Sequence, residues 1–253
     1  MLAYELKGSG PPLVLIHAFP LSGKMWADTA PLFQKNFTVI CPDLPGFGNS
    51  PRQSKPSIAG IAAEVAALLD HLKITEPVRF GGLSMGGYLA FEFLRQFPKR
   101  LHRLGLFATR ATPDSPEGRE NRLRSIESLE KFGMEPFAKK IVKNQLGKST
   151  QEQHPEVMQK ALELMIKNSP QGAADALHAM AERRDSSDLL GGIRIPVLVV
   201  AGEEDTISPA AEMEAMHKKI SGSEFHRVPK SGHLINLEQP EIFHRILKDF
   251  FAK

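Results

Sequence analysis

The chain has 253 residues, a formal net charge of +3 at neutral pH and one cysteine. That length fits one large α/β domain, or a core with an insertion, and buries enough apolar surface to need no disulfide staples. Lysines and arginines are scattered among nearly as many acids, with no basic stripe interleaved with aromatics, which argues against a nucleic-acid partner. No apolar run approaches the ~20 residues that span a bilayer.

The N-terminal stretch MLAYELKGSGPPLVLIH lacks a basic segment followed by a long apolar one and a small-residue cleavage site, so it reads as mature sequence. Cys41, inside the apolar run FTVICPDL, reads as a small buried hydrophobe. The expectation is a cytoplasmic protein, monomeric or homodimeric, with no membrane partner.

Strand-like runs appear at LVLIHAF (13–19), FTVICPDL (37–44), VRFGGL (78–83) and RLGLFAT (103–109). Between them lie IAGIAAEVAALLDHLK (58–73), with apolar residues at helical spacing, and GYLAFEFLRQF (87–97), stopped by Pro98. Apolar strands separated by helices predict a mostly parallel, doubly wound α/β sheet covered on both faces. From residue 111 to 190 only helical stretches occur: 120–132, 135–146, 154–167 and 172–183. The pattern then resumes with IPVLVVAG (195–202), a helix at 209–220, EFHRVP (224–229) and a last helix at 241–251. The predicted organisation is a core of residues 1–110 and 191–253, carrying a folded helical cap at 111–190.

The stretch GLSMG (82–86) sits where a strand meets a helix. A G-x-S-x-G turn needs small residues two before and two after the serine because a Cβ there strikes the neighbouring backbone. Ser84 is therefore a candidate nucleophile, the plain alternative being a glycine-rich turn with an N-capping serine. A serine hydroxyl needs a base, and the base an orienting acid.

Among nine histidines, His233 follows the last predicted strand and precedes the last helix. His71, His154, His178, His217 and His244 fall in helical patterns, His226 in a strand and His102 at a strand start. The acid is sought after 195–202, where GEEDTISP offers Glu203, Glu204 and Asp205, and Asp205 is chosen; ATRAT (108–112), after the preceding strand, holds no carboxylate. Two oxyanion donors are expected in the amides of Met85 and Phe19, with His17 bracing the Phe19 loop. No HExxH pair or cysteine cluster accompanies His17, so no metal is expected. DLPGFGNS lacks the third glycine of a dinucleotide loop and GGLSMGG lacks a phosphate-loop lysine, so no cofactor is expected either.

Together LIHAFP (15–20), DLPGFGNS (43–50), GLSMGG (82–87), GEEDTISP (202–209) and SGHLINLEQPE (231–241) resemble the α/β-hydrolase family over essentially the whole chain. GLSMGG is similar to enol-lactonases of the 3-oxoadipate type and to small carboxylesterases. Ala18 occupies a position where the family has glycine. The resemblance implies hydrolysis of an ester or lactone through an acyl-enzyme, and a serine nucleophile argues against haloalkane dehalogenases and epoxide hydrolases. The same residues would serve a carbon–carbon bond hydrolase, a perhydrolase, or a ligand-binding member without turnover. Phe19, Trp26, Met85, Leu146, Met158 and Met165 are candidate pocket residues, and Arg110 is a candidate for a substrate carboxylate.

Overall fold

Each of the six strand-like runs becomes a strand in the computed structural model, which describes residues 1–253: β2 (Pro12–Ile16), β3 (Thr38–Pro42), β4 (Val78–Leu83), β5 (Leu101–Phe107), β6 (Val197–Gly202) and β7 (Glu224–Val228). They pair in parallel, and β1 (Tyr4–Lys7) joins antiparallel to β3 with Tyr4 opposite Pro42. Sequence patterning misses β1 because it is four residues long and half exposed, with no apolar run to mark it.

The helices are α1 (Ala30–Phe33), α2 (Ile58–His71), α3 (Met85–Gln96), α4 (Pro116–Phe132), α5 (Met134–Ile141), α6 (Lys148–Gln153), α7 (Pro155–Ile166), α8 (Pro170–Ala181), α9 (Ala210–His217), α10 (Ile235–Glu238) and α11 (Pro240–Phe251). None is long and apolar enough to cross a membrane. The unpredicted α1, α6 and α10 are too short to show a helical period. Helix α4 starts four residues before the pattern at 120–132, because Ser115 accepts the Gly118 amide at 3.1 Å and Pro116 fits the first helical position.

Strand order β1-β3-β2-β4-β5-β6-β7 makes the chain leave β2 toward one edge and return to its other side. The crevice between the carboxyl ends of β2 and β4 is thus the topological switch point, where open α/β sheets bind ligands. Both faces of the sheet are covered. Phe80 of β4 packs on Phe93 of α3 with ring centroids 4.9 Å apart, while Phe107 of β5 meets Phe243 of α11 edge-on at 5.1 Å. Helices α4 to α8 separate β5 from β6 without an intervening strand. Apolar residues of this insertion, among them Phe137, Ala161 and Leu177, share one continuous core with Leu15 and Leu83 of the sheet.

The loop after β2 is tied to the loop after β3 by His17. Its Nε2 accepts the Leu44 amide at 3.0 Å and its Nδ1 donates to the Ala18 carbonyl at 2.9 Å, which specifies the neutral ring. Burial lowers its pKa from 6.5 to about 4, against the opposing pull of the Ala18 carbonyl and the Asp43 charge. Asp43 organises DLPGFGNS by accepting the Gly23 amide at 2.8 Å and the Asn49 amide at 2.9 Å. That turn docks on the helical insertion: Asn168 accepts the Gly48 amide and donates to the Pro20 carbonyl, both at 2.9 Å.

The depressed His17 pKa sets a sign. Its contribution to stability is full above about pH 6.5 and is lost as pH falls toward about 4, where the unfolded chain takes up a proton the fold refuses. The difference corresponds to at most about 3 kcal/mol. Urea unfolding across this window should show a shallower acid loss for His17→Gln than for the wild type; equal slopes would contradict the assignment.

Candidate active site

Ser84 is the single residue between the end of β4 and the start of α3, with φ 56° and ψ −111°. A non-glycine residue at positive φ is strained and persists only where its surroundings over-determine it. Here the Ser84 amide donates to the Phe107 carbonyl and its own carbonyl accepts from Thr109 Oγ1, each at 2.8 Å. The flanking glycines are required by backbone approach: a Cβ on Gly82 would lie 2.1 Å from the Gly86 carbonyl oxygen, and one on Gly86 would lie 2.5 Å from that of Ile16. Met85 opens α3, so its amide is among those a helix N-terminus leaves without an intrahelical acceptor.

Asp205 lies buried in the loop after β6, where Oδ1 accepts the amides of Ile207 at 2.8 Å and Ser208 at 3.0 Å. Oδ2 receives the Nδ1 proton of His233 at 2.8 Å. His233 is in the loop after β7, and its remaining nitrogen, Nε2, is the basic one. Four strand ends therefore converge, since Phe19, Ser84 and His233 line one cavity of about 490 Å³ and Asp205 stands behind the histidine. A hydroxyl on a strained turn, lining the same cavity as a carboxylate-oriented imidazole, is an arrangement able to perform nucleophilic acyl transfer. Ala18 replaces the usual glycine without strain, being absent from the positive-φ residues, and the Phe19 amide has no backbone acceptor.

The cavity corrects part of the expected pocket. Phe19 and Arg110 line it, but Trp26, Leu146 and Met158 do not. Trp26 is fully buried and stacks on Phe243 at 6.1 Å, inside the core below the site. Leu146 is buried where the insertion meets the His233 loop, Met158 packs against the core from α7, and Met165 is fully buried. The Met85 side chain is also outside the cavity. The roof comes instead from Arg122 and Ser125 of α4, Phe137 and Ile141 of α5 and Leu177 of α8. Arg110 Nη2 donates to the Ile207 carbonyl, Nη1 lies 3.8 Å from Glu212, close enough for an ion pair but not for a hydrogen bond, and Nε is buried without a partner.

A family model described as the alpha/beta hydrolase fold matches residues 11–240. The chain belongs to that family. Among solved structures, this α/β hydrolase is similar to a malate-bound thermophilic esterase from Thermogutta terrifontis, with 41% identity, a TM-score of 0.96 and coverage of 99% of this chain and 93% of the esterase. It is 29% identical to 3-oxoadipate enol-lactonase 2 of Acinetobacter baylyi, over 94% of this chain and 87% of the relative. It is 30% identical to the pimeloyl-[acyl-carrier protein] methyl ester esterase of Neisseria meningitidis, over 93% of this chain and 91% of the relative. The resemblance and the mostly parallel doubly wound sheet read from the sequence are borne out, and the relatives support ester or lactone hydrolysis as the general class.

Sequence reasoning gave no role to two residues that hold the hydrolase's site together. The Gln145 carbonyl accepts the amides of His233 at 3.1 Å and Leu234 at 3.2 Å, and its Nε2 donates to the Phe19 carbonyl at 3.1 Å. Glu238, buried in α10, accepts the Gly147 amide and Thr150 Oγ1 at 2.7 Å, the Gly232 amide at 3.0 Å and the Leu234 amide at 3.1 Å. Burial raises the Glu238 pKa against the lowering effect of these bonds. The signal was present in LINLEQP, an acid among apolar residues just after the histidine, but two of its partners, Gly147 and Thr150, are about ninety residues away.

Glu238→Gln keeps the volume but turns an amide N–H toward backbone donors, leaving buried groups unpaired at about 1–3 kcal/mol. We expect a Tm loss of roughly 2–10 °C together with reduced turnover. An unchanged Tm would show that the clamp contributes nothing.

Proposed function

We propose that this chain is a serine hydrolase that cleaves carboxylic esters or lactones through an acyl-enzyme on Ser84. The observation that carries the reading is the buried 2.8 Å bond between Asp205 and His233 Nδ1, behind a cavity that Ser84 also lines. Ser84 Oγ attacks the carbonyl carbon and passes its proton to His233 Nε2. Asp205 stabilises the imidazolium without taking the proton. The oxyanion is received by the amides of Met85 and Phe19, which occupy the start of α3 and the loop after β2 and are preorganised by the elbow and by His17. His233 returns the proton to the departing alcohol, and water activated by the same nitrogen releases the acid and restores Ser84.

Esterase and enol-lactonase relatives that align over nearly the whole chain support ester or lactone hydrolysis as the reaction class.

With p-nitrophenyl esters of increasing acyl length and a panel of small lactones, Ser84→Ala should lose turnover by about 10⁴-fold or more, and Asp205→Asn by a comparable factor. Retention of a tenth of the rate in Ser84→Ala would contradict the nucleophile. Saturable binding without turnover in the wild type would identify a binding member of the fold.

A further inference from the structure

The wall of the cavity opposite the sheet is chemically unlike an all-apolar ester pocket. Asp114 is its only acidic lining residue, whereas Arg110 and Arg122 both border it. Asp114 is shared between two guanidinium groups. Arg122 approaches it through Nε and, at 3.2 Å, through Nη2, while Arg183 Nη2 reaches Oδ1 at 2.9 Å. One carboxylate thus answers two buried or half-buried cations, and a positive charge is left over.

The location of that surplus follows from which of the two cations reaches the cavity. Arg183 lies behind the lining, stacks over Tyr88 at 4.1 Å, and directs its two terminal nitrogens to the carbonyls of Met180 at 2.8 Å and Thr112 at 3.1 Å as well as to Asp114, with Nε left buried and unpaired. Arg122 borders the cavity beside the Tyr88 hydroxyl, and its Nη1 lies 3.5 Å from Met180 Sδ. A thioether is a weak acceptor, so this donor pair is available to a better one. Arg110 has a carboxylate of its own, Glu212 at 3.8 Å, and donates to the Ile207 carbonyl, so it adds no unanswered charge. Burial acts to raise the Asp114 pKa, but the hydrogen bonds and charges of Arg122 and Arg183 bring it from 3.8 to about 2, so the acid stays ionised and both cations stay fixed at neutral pH.

We propose that the cavity selects esters and lactones that carry a free carboxylate, with the Arg122 guanidinium of α4 as its receptor. The inference rests on the ester-hydrolase reading of the same cavity. It assigns substrate recognition to the helical insertion and moves the anion site from Arg110, singled out in the sequence, to a residue the sequence did not mark. A carboxylate meeting Nη1 satisfies the donors that Asp114 leaves open and balances the residual charge in a partly water-excluded site, where such bonds are strongest.

Two matched pairs test this, each exchanging a carboxylate for a methyl group: monomethyl glutarate against methyl valerate, and 3-acetoxypropionate against propyl acetate, with hydrolysis followed by proton release. The ratio of kcat/KM, anionic over neutral, should be about 10 or more in at least one pair and fall about 10-fold or more in Arg122→Gln. Glutarate should inhibit the neutral esters competitively, and about 10-fold less well in that variant. Arg119→Gln removes the same charge from the exposed face of α4, where it pairs with Glu182, and should leave the ratio within about 2-fold. If Arg122→Gln does not fold, Arg122→Lys, which keeps the charge but not the fork, should give an intermediate ratio.

Neutral esters hydrolysed with a ratio near one in both pairs and no inhibition by glutarate would overturn the proposal and leave the hydrolase standing. If no ester is hydrolysed, the hydrolase reading fails, and calorimetry with glutarate decides the anion site: binding weakened in Arg122→Gln supports it, and absence of binding overturns it.

Discussion

The close packing of backbone around Ser84 is the constraint on which the site depends. Holding a residue with a side chain at positive φ costs of order 1–3 kcal/mol, and the fold meets that cost with the bonds to Phe107 at the end of β5 and Thr109 just beyond it, and with bare glycine backbone on either side of the serine. Any Cβ at Gly82 or Gly86 would press on main-chain oxygens, which cannot rotate away. Because Gly86 lies against Ile16 at the end of β2, the geometry that raises Ser84 also fixes the start of the Phe19 loop. Ser84 and the start of the Phe19 loop are thereby set by one contact at the switch point of the sheet.

The second level of organisation is the attachment of the helical insertion. It is anchored by Gln145 and Glu238 beside the histidine and by Asn168 at the glycine turn. These anchors join the loops after β2, β3 and β7, so the roof of the cavity and the catalytic loops share one hydrogen-bonded frame. The proposed recognition by α4 and the proposed chemistry at Ser84 are for that reason mechanically linked, although α4 contributes nothing to the Asp205–His233 pair.

Much of this was legible in the sequence, and for identifiable reasons. Local steric demands leave local marks: G-x-S-x-G betrays a tight turn, and the apolar runs betray buried strands. The pairing of Asp205 with His233 was accessible because each follows a strand of a parallel sheet, and such loops all emerge at one edge. Interactions across the chain left no mark. Trp26 looked like a pocket aromatic, but whether an aromatic near the site faces the cavity or Phe243 depends on packing between residues more than two hundred apart. Leu146 and Met158 failed for the same reason, as the helical period gives a buried face without saying which neighbour buries it. Glu238 and the sharing of Asp114 by Arg122 and Arg183 required the tertiary structure.

The central claim is that Ser84 becomes acylated. Rapid acid quench of the enzyme during turnover of p-nitrophenyl butyrate, followed by peptide mapping, tests it most directly. The account predicts one butyryl group on the peptide containing Ser84, accumulating before steady state and absent from the Ser84→Ala variant. Hydrolysis at full rate with no acylated peptide, or with the acyl group on another residue, would contradict it.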